Sequence, residues 1–156
     1  MTITITRESI WIAAVLTLIF IFFHQAYLRF LRFAPFQNDD RANEALFFIH
    51  MICKDYFNEF QMFPVKGREE FTKKLNQVGE VFNLDRMQDE WYRNQFRYLL
   101  HKYHAPLKES FILFNALRHR SKVEYQDLQA VINFTHHTIN GIIRDLENRN
   151  KQSFVA

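Results

Sequence analysis

At 156 residues the chain has room for one compact domain of about 110 to 120 residues plus an anchor, and none for two independent cores. Only 3 Gly and 3 Pro occur, too few turn-formers for an all-β fold with many short connections, so the fold class is all-α. The formal net charge of +3 suits contact with anionic lipid or nucleic acid but falls short of a nucleic-acid-binding signature. The single cysteine, Cys53, excludes an internal disulfide framework and demands no oxidising compartment.

From Ile10 to Phe23 the chain reads IWIAAVLTLIFIFF. With Ser9 before it and His24 to Leu28 after it, the stretch reaches roughly 20 residues, the length a bilayer span needs. Trp11 and Tyr27 stand near its two ends, where amphipathic rings prefer the interface. The reading is a short extracytoplasmic tail over 1–8 and a transmembrane helix with a juxtamembrane extension over 9–34. A cleaved signal peptide is the competing reading. Against it, Glu8 offsets Arg7 in the n-region and no small-x-small cleavage site follows.

Arg29, Arg32 and Arg41 follow the span and only Arg7 precedes it. The positive-inside bias therefore places the C-terminal domain in the cytoplasm and the chain in the inner membrane as a single-pass protein. Leu28, Phe30, Leu31, Phe33 and Phe36 alternate with Arg29 and Arg32, as in a helix continuing into the head-group layer with its arginines turned to lipid phosphates. Pro35 ends it. One span without an ionised residue lines no pore, so any permeation function requires a homo-oligomer.

The cytoplasmic domain is predicted over 38–149. Asn38, Asp39 and Asp40 read as the cap of a helix to about Gln61, with Leu46, Phe47, Ile49, His50, Cys53, Phe57 and Phe60 on its core face. Pro64 and Gly67 interrupt, and a second helix presents Phe71, Leu75, Val78 and Phe82. A third starts near Asp85 and ends at Pro106, with Met87, Trp91, Phe96, Leu99, Leu100 and Tyr103 apolar. A fourth starts at Pro106, which is well tolerated at a first helical position, and carries Leu107, Phe111, Phe114 and Leu117. The fifth runs from about Val123 to Asn148 with Leu128, Val131, Ile132, Thr135, Ile139, Ile142, Ile143 and Leu146. Residues 150–156 read as a flexible tail. Short-linked helices of this kind pack as a four- to five-helix up-and-down bundle.

Arg97, His101 and His104 stand at i, i+4 and i+7 and share one helix face. Such a stripe can grip a phosphodiester and move its protons, and it is also what a solvated polar face looks like. His101 and His104, with His136 or His137, lack the carboxylate or Cys complement of a metal site, so no metal is expected. Three glycines leave no phosphate-binding loop, and no cofactor is expected. Arg118, His119, Arg120 and Lys122 lie where a helix ends, a place that suits cations through the helix dipole. Arg118, Arg120 and Lys122 are also the candidate contacts for an anion or RNA.

The span, a helical bundle of this size, and Arg97 followed by His104 with six residues between resemble the single-pass HEPN-like membrane proteins that accompany type VI-B CRISPR systems. That resemblance implies a membrane-associated accessory of antiviral defence, with a CRISPR effector or RNA among its partners and Arg97 and His104 as the catalytic pair where the family cleaves RNA. Tyr98 stands after Arg97, where the family usually has a polar residue. The resulting expectation is a membrane-anchored, oligomer-forming, non-catalytic accessory that perturbs or permeabilises the bilayer. A membrane-tethered HEPN-type ribonuclease and a plain scaffold for a soluble partner are the alternatives.

Overall fold

The computed structural model describes residues 11, 15–22, 36–81 and 86–153. The chain divides into two units, Met1–Pro35 and Phe36–Ala156. In the first, residues 15–22 are helical. Tyr27, Arg29 and Arg32, expected at a membrane interface, lie outside the described residues, as do the tail over 1–8, Phe82 and 154–156. Among the described residues no helix is both long and apolar enough to cross a membrane.

The second unit is all-helical among its described residues. Helix α1 (Asp40–Asp55) passes into a wider-wound π-turn (Tyr56–Phe60), followed by α2 (Arg68–Val81), a 3-10 turn (Arg86–Gln88), α3 (Glu90–Arg118) and α4 (Tyr125–Ser153). Helices α1 and α3 run parallel, because Asp39 meets His101, Glu44 meets His104, Phe48 stacks on Phe111 and Asp55 meets Arg118 in ascending order. Helices α3 and α4 run antiparallel, with Lys102 on Asp145 and Arg120 on Asp127. Helix α2 runs alongside α4 in the same direction, Lys66 meeting Gln129 and Glu70 meeting His136. The four alternate up and down around one core, as the sequence predicts.

Each helix boundary has a local cause. The Asp39 carboxylate caps α1 by accepting from the Ala42 amide at 3.0 Å, and Asp89 caps α3 by accepting from Tyr92 at 3.1 Å. Gly67 carries φ +78, a left-handed conformation glycine adopts without strain, and it turns the chain into α2. Helix α4 continues to Ser153, past the end predicted near Asn148. Its last turns are held by Arg149, which stacks on the Tyr98 ring at 4.0 Å and donates to Gln95.

The main departure from the sequence reading is at Pro106, where one helix was expected to end and another to begin. Helix α3 runs through it unbroken. Proline removes the N–H that would bond the Lys102 carbonyl, a loss of about 3 kcal/mol in an isolated helix. Packing on both sides outweighs that loss. Leu99, Leu100, Leu107 and Phe114 are all fully buried, and the Ser110 hydroxyl donates to the Pro106 carbonyl at 2.9 Å.

The core faces differ in detail. On α1, Ala42, Ala45, Leu46, Phe48, Ile49 and Ile52 point inward, while Phe47 and His50, expected there, are exposed. Ala42 and Ala45 are at 0% exposure, and their small side chains let α1 lie close to α3. At the start of α3 it is Tyr92 that is buried and Trp91 that is exposed, because the Tyr92 hydroxyl finds a partner inside, donating to the Val81 carbonyl at 2.9 Å. All eight positions predicted inward on α4 are buried.

Candidate functional site

The chain enters the bundle at Phe36, whose ring packs on Phe96 with centroids 6.3 Å apart and whose carbonyl accepts from the Asn43 side chain at 2.9 Å. Asn38, at φ +61, turns the backbone so that Asp39 caps α1 and faces the polar stripe of α3. His101 Nε2 lies 2.9 Å from both oxygens of Asp39, and Arg97 Nε lies 3.8 Å from one of them. Three positions along α3, His104 Nε2 lies 2.6 Å from a Glu44 oxygen, its ring against Phe48 at 5.7 Å.

These contacts set the local electrostatics. Burial pulls the Asp39 carboxyl up, but hydrogen bonds from His101 and the Ala42 amide, with the charges of His101 and Arg97, outweigh it and hold the group below the usual carboxylate value. An imidazole with one nitrogen on a carboxylate is oriented and keeps its other nitrogen for proton transfer. Access divides the stripe. The side chains of Arg97 and His101 are 49% and 40% exposed, that of His104 only 12%. Arg97 and His104 therefore share a helix face but address different carboxylates, Asp39 and Glu44.

Sequence reasoning placed the three basic residues together and missed their acidic partners. Asp39 reads as a cap, which it is, and Glu44 carries no signal in the sequence. They stand 62 and 60 positions from His101 and His104, so only the parallel packing of α1 on α3 pairs them.

The basic cluster lies at the opposite end of the bundle. Arg118 donates to Asp55 at 3.1 Å and sits 3.4 Å from Glu59, and Arg120 is paired with Asp127. Lys122 is exposed. An anion or RNA arriving here has to compete with three carboxylates for Arg118 and Arg120. Asp55 is 1% exposed and its Oδ2 has no hydrogen-bond partner. Burial pushes its carboxyl above the ordinary value, against the pull of Arg118.

A third polar group ties α3 to α4. Asp145 accepts from Lys102 at 2.6 Å and from the Tyr103 hydroxyl at 3.0 Å, which holds its carboxyl low. Gly141 makes room for it, since a Cβ there would stand 2.7 Å from that hydroxyl. Burial raises the Cys53 thiol to about 11, so at neutral pH it is protonated and no nucleophile. Among the described residues no three His, Cys, Asp or Glu side chains converge on a metal-sized site. An open polar groove between Gln61 and α2, lined by Arg68, Thr72, Lys73, Asn76 and Glu80, is separate from the Arg97 stripe.

No family model, no curated protein and no solved structure matches this chain. The HEPN-like expectation therefore rests on layout and on the Arg97 to His104 spacing.

Proposed function

We propose that this chain is a membrane-anchored, oligomer-forming helical protein that acts on the bilayer as a non-catalytic accessory, with its bundle on the cytoplasmic side. One observation carries the reading. Residues 15–22 are helical, and Val15, Leu16, Leu18, Ile19, Phe20, Ile21 and Phe22 are each 45 to 72% exposed. A helix apolar on every side has no face to turn to water and requires an apolar surrounding. The uninterrupted run Ile10–Phe23 matches a bilayer better than a protein groove, which would cover one stripe only. The arginines after the run favour the cytoplasmic orientation. The engagement of Arg97 and His101 with the capping carboxylate Asp39 favours a structural role for that end of the stripe.

The test is the mass of full-length protein in mild detergent by light scattering, together with membrane fractionation of cells. A discrete multi-subunit mass and carbonate-resistant membrane association are expected. A Phe20→Lys variant places a charge in the apolar helix at a cost of about 3 kcal/mol and should move to the soluble fraction. A monomer at all concentrations, or a parent protein recovered in the soluble fraction, overturns the reading.

A second reading, a membrane-tethered HEPN-type ribonuclease using Arg97 and His104, is favoured by the His104–Glu44 pairing, which would orient the imidazole for proton transfer. Antiviral defence, with a CRISPR effector or RNA as partner, is the setting that the resemblance suggests. Metal-independent RNA cleavage lost in His104→Ala supports this reading, and equal activity in variant and parent rejects it.

A further inference from the structure

The outer seam between α3 and α4 is both aromatic and basic. Trp91, Gln95, Tyr98 and Lys102 recur at the three- and four-residue steps of one face of α3. Their contacts run that face along α4: Gln95 and Tyr98 meet Arg149, and Lys102 donates to Asp145 at 2.6 Å. Two of the four are large rings turned to solvent, Trp91 at 39% and Tyr98 at 51% exposure. From α4, Arg144 adds a side chain that is 72% exposed and 3.8 Å from the same Asp145. Lys102, Arg144 and Arg149 thus line the seam with one carboxylate among them, and the outward charge is positive. Glu90 stands on the neighbouring stripe of α3, with Arg97 and His101.

The polypeptide enters the bundle at this level. Phe36 packs on Phe96 and Asp39 meets His101, both within the stretch of α3 from Trp91 to Lys102. The chain from Phe23, where the apolar run ends, to Phe36 reaches at most about 45 Å when fully extended. A bilayer holding that run therefore keeps this part of the bundle within reach of its head groups. Such tethering turns a weak surface attraction into an intramolecular one.

We propose that the seam formed by Trp91, Tyr98, Lys102, Arg144 and Arg149 docks on an anionic bilayer surface, its rings entering the head-group layer and its cations meeting lipid phosphates. The inference rests on the membrane reading and names the lipid chemistry that the bundle recognises. Amphipathic rings among long basic side chains are the composition of an interfacial surface. Each cation close to an anionic leaflet favours the docked state about 5-fold. A single-stranded nucleic acid would instead stack its bases on open ring faces, and the Arg149 guanidinium, 4.0 Å from the ring centroid, already takes one face of Tyr98.

The chain's two tryptophans, Trp11 and Trp91, fall one in the apolar run and one in the seam, which separates the two claims. Full-length Trp91→Phe and Trp11→Phe proteins, each with one fluorescent ring left, go into nanodiscs of phosphatidylcholine alone or mixed with phosphatidylglycerol. Lipid brominated close to the glycerol backbone is the quencher. Trp11 is expected to be quenched in both bilayers, and Trp91 in the anionic one alone. Arg144→Glu, a change of two charges, should lower the ratio of docked to undocked protein about 20-fold and release Trp91 from the quencher. Trp11 quenched with Trp91 unquenched in the anionic bilayer overturns the docking surface and leaves the membrane reading standing, whereas Trp11 unquenched overturns both. Quenching of Trp91 that is equal in the two bilayers, or unmoved by Arg144→Glu, overturns the anionic surface. Trp91 emission that responds to a single-stranded oligonucleotide and not to anionic lipid overturns it in favour of nucleic acid.

Discussion

Replacing Arg118 by Met removes the cation hydrogen-bonded to Asp55, a carboxylate almost wholly inside the protein. Asp55 is 1% exposed and Arg118 33%, so the pair is buried on one side and wet on the other. Removing one partner of a buried pair costs about 3 to 5 kcal/mol, because the charge left behind is uncompensated. Water can reach the Arg118 position, which puts the expected loss near the lower end, about 3 kcal/mol. In urea unfolding of the full chain in mild detergent, followed by circular dichroism, this corresponds to a midpoint lowered by roughly 1.5 M at a slope of about 2 kcal/mol/M.

The Asp55→Asn, Arg118→Met double variant removes the stranded charge and should recover all but about 1 kcal/mol of that loss. The pH dependence has a definite sign. Burial raises the Asp55 carboxyl in the folded protein, so its contribution is fully present below the unfolded value and is lost as pH rises through the folded one. Without Arg118 the folded value rises further, and the deficit of Arg118→Met should shrink as pH falls toward the ordinary value of 3.8. A loss below about 1 kcal/mol, typical of an exposed pair, or a double variant no better than the single, would refute the reasoning.

Gly141→Ala should gain about 1 kcal/mol in helix propensity and lose more, about 2 to 3 kcal/mol, from overpacking against Tyr103 and the broken bond to Asp145. A lowered melting temperature checks this, and an unchanged or raised one contradicts it. Asp39→Ala removes the cap of α1 and the partner of His101 together, with an expected loss of about 2 kcal/mol at neutral pH. Because the Asp39 carboxyl is held low, its contribution is present above the unfolded value and disappears as pH falls through the folded one. The gap between variant and parent in chemical denaturation should therefore close at acid pH. Pro106→Ala restores an amide inside an intact helix and should stabilise by about 1 to 3 kcal/mol. Destabilisation would mean that the ring packs in a way the helix requires.

Much of the bundle is legible in the linear pattern, and the exceptions have physical causes. The inward face of α4 is readable because a long helix with aliphatic residues at steps of three and four has one way to face a core. Phe47 and Phe48 are adjacent and equally apolar, so only the docking of Ala42 and Ala45 against α3 decides that Phe48 goes in. Pro106 reads as a boundary because the local rule sees one lost hydrogen bond and not the buried side chains on either side. The stripe Arg97, His101 and His104 is visible from spacing alone, whereas its carboxylates are not, since nothing local connects Asp39 or Glu44 to α3. Arg118 reads as a cation on the helix dipole or an anion contact for the same reason, its partner Asp55 being 63 positions away.

Two of the places where α1 is pinned to α3 lie at its opposite ends. From Asp39 to Asp55 is 16 steps along one helix and from His101 to Arg118 is 17 along the other, roughly 24 and 26 Å at 1.5 Å per residue. The near-equal lengths act as a vernier. Sliding α1 by a single residue would shift it about 1.5 Å and turn it about 100°, which no longer lets both carboxylates find their cations. Longitudinal sliding of α1 on α3 is thereby suppressed.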